Sequence, residues 1–490
     1  MGRMLFHAPT PETLPCGAVE RAYVAGIEGV PWRSWNQWAG GILTVERSTN
    51  ESGSLYIPWD VAEKGTRVLS TCSLMERETP YCLATELARG TLHRLRVFVG
   101  TIESAGGTVP AEIKQLVHSA RQHFFVAITS PFCEMKPAEA AIRDASAAID
   151  QLGQLHNRTS AANGGARSDA HGPVLAGRLD QSVPTKADRF LTAFGGALVP
   201  CRWRDLQADP GRIEWAAADA QIAWCRQHDL RVLGGPLVQI DALHLPDWTH
   251  EFAADFDALE HRAIHYVDQV ASRYEDDVDA WICAGRLNLP GSLGLDEEQK
   301  LRIAVSMVET VRRASPRTPV VVGFDQPWGE YLAQREDDLS PLYFADALVR
   351  ADLGVAGIAL EINLGYWPGG TQPRDLLEIM RHLDRWCLLG IPLIVLLTLP
   401  AAMGDDPNAV GAARIVPRSR HDDAAPAMDQ TVVADMIRSL MGCSRLHAVV
   451  WNQWSDARPH EFPHSGLLDS SGQERPGLES FVAVRREFSA

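Results

Sequence analysis

The chain has 490 residues, a formal net charge of −16 and 46% hydrophobic residues, which is the composition of a globular protein long enough for two domains. The negative charge argues against a nucleic-acid or anionic-membrane partner, because both are themselves negative, and it favours a neutral substrate. There is no apolar run of about 18 residues and no signal-peptide pattern at the start. The nine cysteines form no CxxC pair. We therefore expect a cytoplasmic protein with reduced thiols, and composition leaves its oligomeric state open.

Two types of pattern fill the N-terminal third. Residues 1–75 alternate short apolar runs with Gly, Pro, Ser and Asn, which predicts a small antiparallel β unit. From Pro80 to Asn157, apolar residues recur at three- and four-residue spacing in three segments, which predicts three packed helices. The small polar residues 159–172 then predict a linker. The expected organisation is an N-terminal region at 1–158, this linker, and a second domain at 173–486.

After the linker, apolar strands alternate regularly with helices. The predicted strands lie near 173–177, 193–199, 231–238, 278–284, 319–324, 355–361, 391–398 and 446–451. The predicted helices lie near 215–228, 255–275, 297–314, 341–350, 373–389 and 429–441. Eight strands alternating with helices predict a (β/α)₈ TIM barrel of the α/β class. A doubly wound open sheet is the alternative, but no glycine-rich dinucleotide fingerprint follows the first strand.

The sixth predicted strand ends in a group of polar and aromatic residues. The segment 355–367, VAGIALEINLGYW, is apolar until Glu361 and is followed by Asn363, Tyr366 and Trp367. Ligand sites in parallel α/β folds lie at the carboxyl ends of the strands, so this strand end is a candidate site. The structural alternative is that Glu361 caps the next loop or pairs with an arginine.

Several barrel segments resemble glycoside hydrolase family 10, the endo-β-1,4-xylanases. Residues 201–248 resemble the family's stretch with a lysine-tryptophan pair, a proline-glycine, an aspartate-bearing helix and a strand leading to proline-x-tryptophan. Residues 278–288 resemble its fourth strand, 357–364 its sixth, 390–399 its seventh, and 449–477 its eighth strand with the closing segment. The matching positions in the first of these segments are Arg202, Trp203, Pro210, Gly211, Asp219, Pro246 and Trp248. The resemblance covers about 300 residues, the C-terminal two thirds, and implies a barrel acting on O-glycosidic bonds of a β-linked, xylan-like glycan.

The family's two catalytic glutamates have no counterpart in this sequence. Counting from Trp281, the acid/base position falls on Arg286, and the strand-seven nucleophile falls within 396–399, Leu-Leu-Thr-Leu. Retaining glycosidases need two carboxyl groups about 5–5.5 Å apart, one to attack and one to shuttle a proton, so their standard site is absent. No acidic residue lies within 280–287 or 391–399, so shifting this alignment by a few residues would not supply the missing carboxylates.

A relocated catalytic pair is the hypothesis that the remaining acids suggest. Asp325 and Glu361 end adjacent predicted strands, whose spacing of about 4.8 Å brings their carboxylates within reach of each other. Such a pair acts as acid and base when one charge raises the pKa of the other group. The alternative is that Arg286 or Arg202 holds both carboxylates ionised, as a salt-bridged floor.

Aromatic and polar residues at the other strand ends predict a sugar-binding groove, because flat rings cover sugar faces and amides bind hydroxyl groups. The predicted substrate-binding residues are Arg202, Trp203, Asp241, Arg286, Asn288, Trp328, Asn363, Tyr366, Trp451, Gln453, Trp454 and Asp456. For each tryptophan alone, core packing is the alternative. No cofactor or metal is predicted: His460–His464 matches HExxH, but Pro463 argues against the helix that this motif requires.

Three functions follow as hypotheses. The first is a hydrolase with a non-standard site at Glu361 and Asp325. The second is a catalytically inactive relative that binds carbohydrate or a partner protein. The third is that the barrel only supports the N-terminal region. A cytoplasmic location favours oligosaccharides over insoluble polymer as ligands. The long segment 401–428 is predicted to be a lid or a flexible insertion.

Overall fold

Eight parallel strands close into a barrel in the computed structural model, which describes residues 1–163, 172–180, 182–291, 293–335, 339–426, 428 and 430–488. The strands are Val174–Arg178, Gly196–Val199, Arg231–Gly234, Ala280–Gly285, Val320–Asp325, Gly357–Asn363, Leu393–Thr398 and Leu446–Trp451, and Val238–Gln239 adds a short pairing beside the fourth. The eighth strand pairs with the first, Val449 lying opposite Leu175. This closure confirms the TIM barrel and makes the open-sheet alternative wrong.

Amphipathic helices surround the barrel. They are Ala187–Ala193, Trp203–Leu206, Ala216–Gln227, Phe256–Arg273, Glu297–Ala314, Pro341–Arg350, Leu376–Cys387, Val433–Gly442 and Pro476–Phe488. Local signals set several of their ends. Asp296 and Gln299 form a capping box at the start of one helix, and Gly390, with a φ of 77°, follows the end of another. The six predicted helices agree with these bounds to within a few residues.

Strand alternation places a ring of polar residues at the mouth of the barrel. A layer of apolar side chains fills the interior, formed by Ala176, Leu198, Leu233, Ile282, Val321, Ala359, Ile394, Leu396, Ala448 and Val450. Inward-facing residues recur every second position, so the polar residues beyond this layer also face inward. They are Arg178, Asp325, Glu361, Thr398 and Asn452. The candidate site therefore lies at the carboxyl ends of the strands, above a closed apolar floor.

The N-terminal region has the two predicted layers. One sheet contains Gly2–His7, Ser34–Ala39, Ile42–Arg47 and Tyr81–Cys82; the other contains Tyr23–Ala25, Pro31–Trp32, Ser54–Val61 and Gly65–Ser70. The three helices are Leu83–Ser104, Ala111–Thr129 and Met135–Asn163. The last helix includes residues 159–163 of the expected linker, and 164–171 lie outside the described residues. The domain boundaries stay predictions.

Buried ion pairs join the N-terminal helices to the barrel. Arg94 contacts Asp375 at 2.7 Å and Glu378 at 3.3 Å, at the start of the barrel helix Leu376–Cys387. Arg374, whose side chain is 1% exposed, donates a hydrogen bond to the Tyr23 hydroxyl at 2.9 Å. These contacts fix the N-terminal region against the loop that follows the sixth strand.

The long segment 401–428 also contacts both parts of the chain. Its strand Arg414–Ile415 pairs with Tyr366–Trp367 of the barrel, and Arg418 donates a hydrogen bond to the Glu63 carbonyl at 3.0 Å. It thus bridges the barrel and the N-terminal sheets.

One disulfide corrects the expectation of reduced thiols. Cys82, which directly precedes the helix Leu83–Ser104, bonds to Cys133, which lies between the second and third helices. The sequence gave no signal for it because the two residues are 51 positions apart, and only the packing of the helices brings their Cα atoms within 5.5 Å. No helix in the described ranges is long and apolar enough to cross a membrane.

Candidate ligand site at the barrel mouth

A buried arginine occupies the centre of the barrel mouth. Arg286 follows the fourth strand with a left-handed φ of 59°, just after a register shift between Ile282 and Ala284. Its side chain is 5% exposed and donates from Nη2 to Glu361 Oε2 at 2.6 Å and from Nη1 to Glu461 Oε1 at 2.7 Å. A left-handed conformation is unfavourable for a side chain of this size, so these two ion pairs offset a local backbone cost.

The two predicted catalytic carboxylates lie side by side against this arginine. Asp325 and Glu361 are register partners on adjacent strands, and they are 1% and 3% exposed. Asp325 Oδ2 lies 3.3 Å from Arg286 Nε, and Oδ1 accepts from Asn363 Nδ2 at 3.1 Å. Burial raises the pKa of Asp325 well above its usual range, with Glu361 and Glu461 adding to the effect and Arg286 opposing it. Both carboxylates contact Arg286, as in the salt-bridged alternative, but the raised pKa of Asp325 favours its protonated form rather than two ionised groups, and the catalytic role of the pair stays a prediction.

Two further acids surround Arg286. Asp241 accepts from His244 Nδ1 at 2.7 Å and lies 4.0 Å from Arg286 Nη1. Burial alone would raise the pKa of Asp241, but the hydrogen bond and charge of His244 and the charge of Arg286 lower it below the usual value. In Glu461, the effect of burial is likewise outweighed by Arg286, so its pKa is lowered. The centre of the mouth is therefore an acidic cluster organised by one guanidinium.

A cavity of about 100 Å³ opens beside this cluster, over the ends of the first, seventh and eighth strands. Its polar lining includes Arg178, Asp180, Arg202, Thr398, Asn452, Gln453, Arg458, His460 and Glu461. Neither Glu361 nor Asp325 is part of this lining. The volume is below the roughly 300–1,000 Å³ typical of ligand pockets, so it suits one small group of a ligand rather than a chain of sugars.

Of the predicted polar binding residues, two line this cavity. Arg202 contacts Asp205 at 2.6 Å and is 23% exposed, and Gln453 donates to the Ser455 carbonyl. Asn288 is instead buried, donating to the Asp325 carbonyl at 2.8 Å, so it fixes the end of the fifth strand.

Asp456 also has a structural environment. It is 1% exposed, accepts from the Gly466 amide at 2.7 Å and pairs with Arg475. It organises the loop after the eighth strand.

The predicted aromatic groove is not present, because the five rings lie in the core. Trp203, Trp328, Tyr366, Trp451 and Trp454 are 7% exposed or less, and none of them lines the cavity. Trp203 stacks on Tyr266, Trp328 on His382, and Trp451 packs edge-on against Phe481. Where such a ring lies on a barrel strand, the physical reason is alternation: a ring one position away from an inward-facing residue points outward, into the helix layer. Trp451 beside Asn452 is such a case.

Sequence reasoning missed four charged residues that line the cavity: Arg178, Asp180, Arg458 and Glu461. Arg178 ends the first strand just as Glu361 lies at the end of the sixth, so the strand-end argument applied to both, but the predicted strand stopped at 177. Glu461 lies in a long loop with no local signal for its approach to Arg286.

The HExxH segment is non-helical, as Pro463 predicts. His460 Nε2 lies 3.0 Å from Asp406 Oδ2, and ligand atoms of Asp406, Asp456 and His460 lie within 4.8 Å of one another. The same carboxylates accept hydrogen bonds from the backbone amides of His464 and Gly466. This group is thus explained as a network that holds the loop after the eighth strand.

Comparison with known proteins identifies the relatives of the barrel. Residues 197–283 match the model of glycosyl hydrolase family 10. The barrel is family 10-like. The match runs from the second strand to the fourth and ends at Cys283, three residues before Arg286. No curated protein matches the chain.

Solved xylanase structures are among the structural matches. Xylanase B from Clostridium stercorarium F9 is 14% identical with a TM-score of 0.45, covering 64% of this chain and 96% of that chain. TsXylA, an intracellular xylanase from Thermoanaerobacterium saccharolyticum JW/SL-YS485 in complex with xylotetraose, is 14% identical with a TM-score of 0.47, covering 63% and 95%. XynB from Paenibacillus barcinonensis is 15% identical with a TM-score of 0.48, covering 66% and 97%.

The structure also refines the position that faces the mouth on strand seven of this family 10-like barrel. Leu396 belongs to the interior layer and Leu397 to the outer core, so Thr398 is the next inward residue. Counting along the sequence had put the nucleophile position at Leu397. Neither residue carries a carboxylate, so the absence of the standard pair does not depend on the register.

Proposed function

We propose that this chain is a carbohydrate-binding protein with a family 10-like, xylanase-related barrel that has lost the two-carboxylate chemistry. The observation that carries the proposal is the position of Arg286, which stands at the family's acid/base position and binds Glu361 at 2.6 Å. A guanidinium stays protonated at any relevant pH, so it cannot give up and regain a proton as an acid/base must. Thr398, at the mouth of strand seven, supplies no carboxylate to attack the sugar.

Polar groups around the cavity support saccharide binding. Asn452, Gln453, Thr398 and Arg202 present amide, hydroxyl and guanidinium groups to one small space, and such groups bind sugar hydroxyls. The ligand class that we propose is a β-linked, xylan-like oligosaccharide, of which one unit or substituent enters the cavity.

Hydrolysis at Asp325 and Glu361 remains the second candidate. The observation in its favour is the raised pKa of Asp325, because a carboxyl group that keeps its proton at higher pH can act as a general acid. Against it, both side chains are buried, both contact Arg286, and neither lines the cavity. Substrate would reach them only after Arg286 moved.

A hydrolysis and binding screen tests both candidates. The purified full chain is incubated with xylo-, cello- and manno-oligosaccharides, beside Glu361→Gln and Asp325→Asn. We expect no turnover by any of the three proteins, and a rise in Tm with at least one oligosaccharide, because a ligand that binds the folded state alone stabilises it. Turnover by the wild type that both substitutions abolish would establish the second candidate. If no saccharide raises Tm, the binding proposal fails.

We also keep a cytoplasmic location and the absence of nucleic-acid partners as proposals. The net charge of −16 supports the second of these. The Cys82–Cys133 disulfide weighs against the first, since disulfides are rare in reducing compartments. Cell fractionation with thiol blocking at lysis tests it: soluble cytoplasmic protein with this bond absent would support a cytoplasmic location, and recovery outside the cytoplasm would refute it.

A further inference from the structure

Arg178 carries a partly buried charge that no ion pair neutralises among the residues that the structure describes. It ends the first barrel strand, and its Nη1 donates to Asn452 Oδ1 at 3.0 Å. Its Nη2 is buried and has no hydrogen-bond partner among the described residues, where Arg178 also forms no ion pair. Burial and the nearby Arg202 lower the pKa of Arg178 to about 10, so the group is still charged at neutral pH. Burying a cation without an anion costs free energy, so an anion that binds beside Arg178 would stabilise it.

Two other donors reach the same cavity. Thr398 Oγ1 is buried and has no partner in the described chain. Arg458 lies exposed at the rim and forms no ion pair with any residue that the structure describes. The donors come from the first strand, the seventh strand and the loop after the eighth, so they converge from three separate elements.

The acidic residues that line the cavity form no ion pair with Arg178 or Arg458 among the described residues. Glu461 is bound to Arg286 at 2.7 Å, and Arg202 is already paired with Asp205 at 2.6 Å. Asp180 is the remaining carboxylate, and burial raises its pKa to about 6 despite the nearby Arg178. Arg178 donates from Nη1 to Asn452, and its Nη2 has no hydrogen-bond partner among the described residues, so Asp180 does not bind it directly. With Arg202 and Glu461 already paired, Arg178 and Arg458 outnumber the remaining carboxylate, Asp180, so the cavity has an excess of cationic groups.

We propose that this cavity binds the anionic group of an acidic saccharide, a carboxylate or a phosphate, with Arg178 Nη2 and Thr398 Oγ1 as inner donors and Arg458 at the rim. This inference rests on the proposed saccharide-binding function and narrows its ligand class, from the neutral substrate that the net charge favours to an acidic one. The planar guanidinium matches both anions, and charge-assisted hydrogen bonds are the strong ones. A cavity of about 100 Å³ holds several water molecules and so accommodates one such group.

Calorimetric titration of the full chain with matched sugars tests the proposal. Glucuronate is compared with xylose, which lacks its carboxylate, and glucose-6-phosphate with glucose; inorganic phosphate measures binding of the anion alone. The variants are Arg178→Gln and Arg458→Gln. Arg350→Gln is the control, because Arg350 is 78% exposed at the end of the helix Pro341–Arg350 and does not line the cavity. The exposed Arg458 provides a readout even if the Arg178 variant folds poorly.

We expect at least one acidic sugar to bind about 10- to 100-fold more tightly than its neutral partner, the factor of one or two charge-assisted hydrogen bonds. Added salt and either cavity variant should reduce this preference, and the Arg350 variant should keep it. Binding of glucuronate measures the affinity of the cavity for a carboxylate, and binding of glucose-6-phosphate measures its affinity for a phosphate.

Three results would overturn the proposal. One is equal affinity for acidic and neutral sugars, another is a preference that survives both cavity variants, and the third is inorganic phosphate binding as tightly as the sugar phosphate while glucuronate shows no preference. If neutral oligosaccharides bind and acidic sugars show no advantage, this inference fails and the proposed function stands. If no saccharide of either kind binds, the proposed function itself fails.

Discussion

Arg286 and Glu361 are joined by three hydrogen bonds: Nη2 donates to Oε2 at 2.6 Å, and Nε contacts both carboxylate oxygens at 3.2 and 3.1 Å. Both side chains are almost fully buried, so neither is free to exchange protons with a substrate. At the point where a family 10 hydrolase would place a proton donor, this chain has a fixed ion pair.

The first prediction concerns the stability of this cluster. Arg286→Gln should lower the free energy of unfolding by about 3–5 kcal/mol, because it leaves buried carboxylates without their cation. Arg286→Gln/Glu361→Gln should cost less than the sum of the two single changes, since the second removes a charge that the first left unpaired. Urea unfolding followed by circular dichroism measures all three. Additive effects would show that the pair contributes no coupling, contrary to this interpretation.

Most of the barrel was predictable because its signals are local. Apolar runs marked all eight strands, and helical periodicity marked the helices, whose ends in the structure include local features such as the Asp296 cap and Gly390. The resemblance to the family then supplied the closed topology. The boundary after residue 158 was harder to judge, because the composition of 159–172 reads as a linker whereas the helix Met135–Asn163 continues into it.

The site was only partly predictable, because its geometry depends on contacts between distant segments. That Arg286, Asp325 and Glu361 meet followed from the strand order. The approach of Glu461 to Arg286 did not, since the two lie 175 residues apart and Glu461 is in an irregular loop. The tryptophans were predicted to line a groove because they lie near strand ends, but a strand-end position does not give the direction of a side chain. Trp451 faces the helices, while Asn452 faces the cavity.

A second prediction separates helix capping from ion pairing at the contact between the two regions. Asp375 accepts from the Glu378 amide at 2.9 Å and pairs with Arg94 at 2.7 Å. Asp375→Asn keeps the cap and removes the charge, and it should cost about 1–3 kcal/mol. Asp375→Ala removes both and should cost about 1 kcal/mol more. Thermal unfolding of the two variants measures the difference, and equal losses would mean that the cap contributes nothing.

A third prediction concerns the Cys82–Cys133 bond. Peptide mapping without reduction should recover the two cysteines in one cross-linked fragment. Cys82→Ser/Cys133→Ser should lower the free energy of unfolding by about 2–4 kcal/mol, because the bond closes a long loop in the unfolded chain. The control is Cys16→Ser, which should change the free energy of unfolding little because Cys16 is exposed. Cys201→Ser is unsuitable as a control because Cys201 is fully buried. Recovery of Cys82 and Cys133 as separate free thiols would contradict the bond.

The last prediction is a pH dependence set by Asp180 in the cavity. Burial raises the pKa of Asp180 from 3.8 to about 6, while the charged groups that face it act in both directions: Arg178, Arg458 and His460 lower it and Asp456 raises it. The folded state therefore takes up this proton at a higher pH than the unfolded state does. Between about pH 4 and 6 the folded state binds more protons, so the contribution of Asp180 to stability falls as pH rises through this window.

Asp180→Asn keeps the group neutral at every pH and should remove this contribution. Relative to the wild type, the variant should be more stable by about 1–3 kcal/mol at pH 7 to 8, and the gain should vanish below about pH 3, where both states of the wild type are protonated. Urea unfolding at several pH values measures the difference. Asp276→Asn is the matched control, because Asp276 is 80% exposed and should show no comparable gain. A stability difference between the Asp180 variant and the wild type that does not change with pH would mean that Asp180 titrates alike in the folded and unfolded chain. A variant that is less stable than the wild type at pH 7 to 8, with the loss disappearing at low pH, would mean that Arg178 already has its anion in this carboxylate.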